Sequence, residues 1–239
     1  MHYSNGNKKG KNMMKKYLLA FSVLILFRSS LIAENAEVIK ILIAYTTDAK
    51  TMAASSGSYM NSIEVAINNK LLKCNDILKN SGVEFQYSFV HLQEVSYVGQ
   101  LNLGALADRD KLKSGEDGLG NIHMLRNQHE ADIVFLIVSR YLSGPVGASY
   151  LHALEGENGL KLDHSFSEFA FAVSDLRNFY LDNTFMHEIG HLMGLFHDRT
   201  TVAQNEQLCT GFSSLDECLD AKGRVSPYAH GYYDEDDNE

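Results

Sequence analysis

Two short and almost wholly apolar runs restrict the fold of this chain more than any other feature. Val38 to Ala44 reads VIKILIA, and Ala131 to Val138 reads ADIVFLIV. Both are the length of a strand and rich in β-branched residues, and neither alternates with polar residues as a strand with one wet face would. They predict strands covered on both faces, which calls for a mostly parallel sheet between helical layers. Between them, Ile63, Ala66, Ile67, Leu71, Cys74, Ile77 and Leu78 recur at helical spacing until Ser81-Gly82 supplies a turn. Val83 to Val90 alternates as a second strand. Gly99 to Gly120 is polar and Gly-containing, and reads as loops around short helical pieces. Asn121 to His129 predicts another helix, Val146 to Leu151 a short edge strand and Phe169 to Val173 one more strand. Strands alternating with helices define an α/β fold. No internal repeat or domain boundary interrupts it.

Composition fits one globular domain: 239 residues, 45% hydrophobic and 21% charged, with 18 Gly and 2 Pro. Three Cys are too few for a disulfide scaffold. Cys74 falls on the apolar stripe of its helix and reads as a small core residue. At the N-terminus, Lys8, Lys9, Lys11, Lys15 and Lys16 precede the apolar run Tyr17 to Phe27, and Ser29, Ser30 and Ala33 follow. This is the order of a secretory signal peptide over residues 1–33, with an uncleaved anchor as the other reading. The apolar run falls short of the roughly 20 residues that span a bilayer, so stable membrane association is not expected. Without the leader's six Lys or Arg, 15 basic residues face 30 acidic ones, the wrong sign for nucleic acid or anionic lipid. The expected product is secreted or periplasmic, with its domain over 34–233 and a solvated acidic tail over 234–239. Oligomeric state is not readable.

The chemistry concentrates in Asp182 to Asp198, DNTFMHEIGHLMGLFHD. On a helix, His187 and His191 stack on one face about 6 Å apart. Phe185, Ile189, Leu192 and Met193 fall on the other side and predict a back packed on the core. Asp182 or Asn183 can cap the start, and Gly194 can take the left-handed conformation that ends the helix. The returning chain then brings His197 towards the same point. Three neutral imidazoles leave tetrahedral Zn²⁺ one open position for water, the arrangement of a catalytic site. Glu188, about 100° round the helix from His187, can reach that water without displacing it. Zinc lowers the pKa of such a water from about 15.7 towards 7. A carboxylate can then take its proton as a carbonyl is attacked and return it to the leaving amine. HExxHxxGxxH fixes five positions, which a random chain of this length matches roughly once in ten thousand trials.

With Asp198 after its last His, the motif resembles that of the metzincin zinc peptidases, most closely the adamalysin/reprolysin-like branch with its bacterial secreted members. IAYTTDAK, HMLRNQHEADIVFLIV, GASYL, AFAV and SPYAHGY extend the similarity over most of residues 37–233. The resemblance implies a three-layer arrangement with a twisted, mostly parallel five-stranded sheet and a zinc-binding active-site helix. It implies a peptide or protein substrate laid antiparallel to the edge strand. It carries over His187, His191 and His197 as zinc ligands, Glu188 as general base and Asp198 as an anchor for the turn after the helix. Metzincins also place a Met-turn downstream of the third His, and this sequence has no Met after Met193. Either the chain is truncated or a divergent segment substitutes. A zinc endopeptidase and a weak or inactive zinc- and peptide-binding protein of the same fold are therefore both carried forward. Cysteines that related bacterial sequences often carry near Gly147 and Asn178 are missing. Cys209 and Cys218 can pair with each other after export. The short stretch between leader and first strand leaves no room for latency through an upstream cysteine. His91, His123, His129, His152, His164 and His230 show no ligand spacing and read as surface or hydrogen-bonded residues. Tyr228, Tyr232 and Tyr233 are candidate phenols for an oxyanion, with nothing to select one.

Overall fold

The computed structural model describes residues 37–57, 60–150, 164–195, 197, 214 and 217. The predicted leader, the acidic tail, Asp198, Cys209, Cys218, Tyr228, His230, Tyr232, Tyr233 and His152 lie outside them. Strand β1 (Glu37–Thr46) and strand β3 (Ile133–Val138) are the two apolar runs, and they lie side by side in a five-stranded sheet of order β2-β1-β3-β5-β4. β2 (Phe85–Val95), β1, β3 and β5 (Phe171–Asp175) are parallel, and β4 (Gly147–Ser149) pairs antiparallel with β5 at one edge. Helices α1 (Thr47–Ser55), α2 (Ile63–Asn80), α3 (Ala105–Ser114), α4 (Gly120–Gln128), α5 (Leu176–Leu181) and α6 (Thr184–Leu192) complete the described elements.

The period of two along β1 and β3 sorts the core into two layers. Ile41, Ile43, Ile133, Phe135 and Ile137 point to one face with Ile63, Ile67 and Cys74 of α2 and Phe185 and Ile189 of α6. Leu42, Ala44, Val134, Leu136 and Val138 point to the other face, towards Leu112 of α3 and Ile122 of α4. Three layers follow, as the doubly covered runs require. Cys74 is buried and free, in the packing role expected of it.

Some boundaries move. β2 runs on to Val95, past the expected end at Val90, through an irregularity where Ile41 pairs with Phe89 and Leu42 with His91. It lies at the edge of the described sheet, so His91, Gln93 and Glu94 remain half-exposed without interrupting the ladder. Phe169 belongs to a short 3-10 turn, and β5 begins at Phe171. The polar stretch before Gly120 contains a full helix, α3. Its buried Asp108 accepts hydrogen bonds from the Tyr97 hydroxyl at 2.5 Å, the Tyr141 hydroxyl at 2.8 Å and the Gln100 amide at 2.8 Å. The carboxylate thereby ties the segments that follow β2 and β3 to α3.

Candidate metal centre

Helix α6 is seated by its back. Phe185 is fully buried, with its ring 5.0 Å from Phe135 and 5.5 Å from Phe179, and Ile189 and Leu192 continue the stripe. Met193 does not share that face: the helix ends at Leu192, and Met193 caps it with 37% of its surface exposed. At the other end Asn183 holds the N-cap position without a side-chain bond. Asp182 supplies it instead, Oδ1 accepting from the Thr184 amide at 2.8 Å. Lys70 of α2, almost fully buried, donates from Nζ to the Asp182 carbonyl at 2.6 Å and ties this start to the neighbouring helix.

The end of α6 sets up the histidines. Gly194 takes φ +88°, and the Gly194 and Leu195 amides bond back to the His191 and Gly190 carbonyls at 2.9 Å each, a Schellman closure. The turn brings the Leu195 carbonyl within 2.8 Å of His191 Nδ1. A carbonyl only accepts, so Nδ1 carries the hydrogen and the neutral ring presents a bare Nε2 to the cleft. The same turn returns His197. The Nε2 atoms of His187, His191 and His197 are then 3.0, 3.1 and 3.2 Å from one another.

Nitrogens bound tetrahedrally at about 2.0–2.1 Å to one ion would stand roughly 3.3 Å apart, so the triangle matches a shared cation. Burial pushes His191 down to about 4, and desolvation followed by the His197 charge lowers His187. Both rings are therefore poised neutral, the form that ligates. The three histidines can hold a metal ion, and they are the one such cluster among the described residues.

Glu188 lies beside them, turned towards β4 and only 5% exposed. Its Oε2 accepts from Ser149 Oγ at 2.7 Å. Desolvation pushes its carboxyl up to about 7, against smaller opposing effects from the Ser149 hydroxyl and the Arg109 charge. The cleft in front encloses about 610 Å³ and is walled by Leu106, Pro145 and Val146 on one side and by Asn183, Thr184 and the histidines on the other.

The backbone of β4 also faces this cleft. The Asp175 amide donates to the Val146 carbonyl at 3.0 Å, and Ala148 pairs with Val173. Antiparallel alternation then turns the amides and carbonyls of Gly147 and Ser149 away from β5. Arg109 Nη1 of α3 donates to the Ser149 carbonyl at 3.1 Å, leaving that oxygen a second lone pair.

Gly147, Ser149 and Arg109 were not among the expected site residues, and no spacing pattern marks them. The histidines expected to have plain roles have them where their side chains are described. His91 stacks on His129 at 4.1 Å, and His123 bonds the Leu112 carbonyl at 3.0 Å.

Two imidazoles on a helix and a third on the chain returning from it thus converge beside the edge of a mixed α/β sheet, in an arrangement that can hold a metal ion. The Reprolysin_5 model, metallo-peptidase family M12, matches residues 35–225, and the chain belongs to that family. Among solved structures it is similar to a chain in a chaperone-substrate complex, at 14% identity and TM-score 0.49, covering 68% of this chain and 24% of that one. It is also similar to metalloproteinase-II from Bacteroides fragilis, at 18% identity and TM-score 0.42, covering 68% and 43%. The chain thus matches less than half the length of either. No curated protein matches the sequence.

Proposed function

We propose that this protein is an exported zinc endopeptidase in which His187, His191 and His197 hold the metal and Glu188 is the general base. The triangle of three Nε2 atoms with a desolvated carboxylate beside it carries this reading. Three imidazoles without a thiolate suit Zn²⁺ with an open position. When bound, zinc supplies Lewis acidity, polarising the scissile carbonyl and acidifying the attacking water. Glu188 takes the proton from that water and delivers it to the departing amine. One carboxyl serves in both directions because the proton it accepts in the first step is the one it returns in the second. Gly147 and Ser149 present the backbone groups along which an extended peptide adds as a further strand. Leu106, Pro145 and Val146 give the cleft an apolar wall beside it. Export is the part of this reading that rests on the Lys-rich leader alone, and no described helix is long and apolar enough to cross a membrane.

The test separates metal from chemistry. Glu188→Ala should keep about one zinc, because the carboxylate is not needed as a ligand, and cleave casein at least roughly a hundredfold more slowly. A parent chain that carries zinc but cleaves no better than Glu188→Ala on any peptide supports the zinc- and peptide-binding alternative. Less than a tenth of an equivalent of metal in the folded parent sinks the site. Mass spectrometry of the mature N-terminus checks removal of residues 1–33, and an intact leader held in the membrane overturns export.

A further inference from the structure

We propose that Ser149 is a positioning residue for the Glu188 carboxylate, so that the strand presented to substrate also aims the base. This rests on the peptidase reading above. Ser149 Oγ donates to Glu188 Oε2 at 2.7 Å, and the carboxylate is almost wholly buried, with little water to compete for the bond. Ser149 is itself fixed on two sides. Its strand pairs with β5, and its carbonyl is held by Arg109 at 3.1 Å. Arg109 is in turn immobilised, its guanidinium stacked 4.0 Å from the Tyr150 ring centre and paired with Asp110 at 2.8 Å. At the other carboxylate oxygen, Gly147 of the same strand leaves no spare room: a Cβ there would stand 2.6 Å from Oε1. A glutamate side chain has three rotatable bonds, and a donor at a fixed point on one oxygen restricts the directions in which its carboxylate can turn. Among the described residues no other group is recorded as hydrogen-bonded to this carboxylate. Neither the metal nor the histidines need touch Glu188, and its own helix fixes only where the side chain starts. The Ser149 hydroxyl points to α6, whereas its amide and carbonyl lie in the sheet plane, where a peptide would pair. Removing the hydroxyl therefore leaves the peptide-binding groups in place.

Three variants of the full chain test this, with zinc content measured on each. Ser149→Ala should retain its zinc, lower kcat about tenfold or more and leave KM within about twofold, the pattern of an aimed proton acceptor that has lost one charged hydrogen bond. Ser149→Thr keeps the hydroxyl on a strand-compatible residue and should recover most of the kcat. In the Glu188→Ala background, Ser149→Ala should cost nothing further, because the group it aims is gone. A second readout needs neither turnover nor metal. In zinc-free protein labelled with ¹³C at glutamate carboxyl carbons, the resonance that Glu188→Gln removes should shift in Ser149→Ala and return in Ser149→Thr. An unchanged kcat in Ser149→Ala, or an equal further loss in the Glu188→Ala background, overturns the positioning role while leaving the peptidase reading intact. An unmoved resonance overturns the contact itself. A zinc-loaded parent without turnover on any peptide overturns the peptidase reading, and the positioning role falls with it.

Discussion

Gly147 of the edge strand faces α6 with no room for a side chain, and Gly147→Ala asks which of the two elements yields. An added Cβ would lie 2.5 Å from Thr184 Cγ2, 2.6 Å from Glu188 Oε1 and 3.2 Å from Glu188 Cδ. Carbon pairs settle at about 3.5–4.0 Å, so roughly an ångström must be found. Thr184 is β-branched, opens α6 and has its amide held by Asp182, so it is the stiffer neighbour. Glu188 is longer and is held at its tip by one hydrogen bond, so its carboxylate gives way, while the Thr184 contact is relieved only by a small shift of β4 away from the start of α6. The stability cost is then a lost charged hydrogen bond with modest overpacking, about 2 kcal/mol. For a domain of this size that lowers Tm by roughly 4–8 °C. The rate cost is larger, because a displaced base forfeits most of a contribution usually worth about 10²–10⁴. Thermal unfolding, bound zinc and kcat/KM on one preparation check this, with zinc expected to stay at the parent level. A Gly147→Ala protein with the parent's Tm and kcat/KM refutes the reasoning. Lost zinc would show that the helix, rather than the carboxylate, had moved.

Three further outcomes follow from buried groups. Burial pushes the Cys74 thiol up to about 11, so iodoacetamide at pH 8 should leave it unlabelled in the folded chain and label it fully in denaturant, read by peptide mapping. In zinc-free protein the folded-state pKa of Glu188 lies above its unfolded value, so the folded state favours the protonated form. Its contribution to stability is present below about pH 4.5 and lost as pH rises through about 7. Denaturant titrations should show Glu188→Gln gaining on the parent across that window, by about 3 kcal/mol at pH 7, and a pH-independent difference would contradict the burial argument. Asp108→Ala strands the Tyr97 and Tyr141 hydroxyls and the Gln100 amide, at about 1–3 kcal/mol for each donor left unpaired. The urea midpoint should fall accordingly, and an unchanged midpoint would mean that water replaces the carboxylate.

What the sequence discloses here is what repeats locally. β1 and β3 are legible because every residue from Ile41 to Ala44 and from Ile133 to Val138 is buried, and a run without polar interruption has few other places to go. Helix α6 is legible for a related reason: the His pair, the apolar stripe and the closing Gly194 all lie within two or three turns of one another. The same logic fails at β2, where the polar His91, Gln93 and Glu94 fall beyond the expected end at Val90 although an edge strand need not be apolar. It fails again at Met193, which keeps the period of the stripe after the helix has stopped supplying the geometry. Gly147, Ser149 and Arg109 fail to show for a different reason. Ser149 is 39 residues from Glu188 and 40 from Arg109, and each contact is made by one side chain reaching another element. A single hydroxyl at long range has no period, and a small residue in a short edge strand looks the same whether it faces solvent or a carboxylate. The three histidines that can hold a metal are thus written within one helix and its turn, whereas the Ser149 hydroxyl on the Glu188 carboxylate becomes visible only once β4 is docked against α6. Substitutions of His187 and His191 in α6 are accordingly expected to act on metal content, and substitutions in β4, like those of Glu188, on rate at constant metal content.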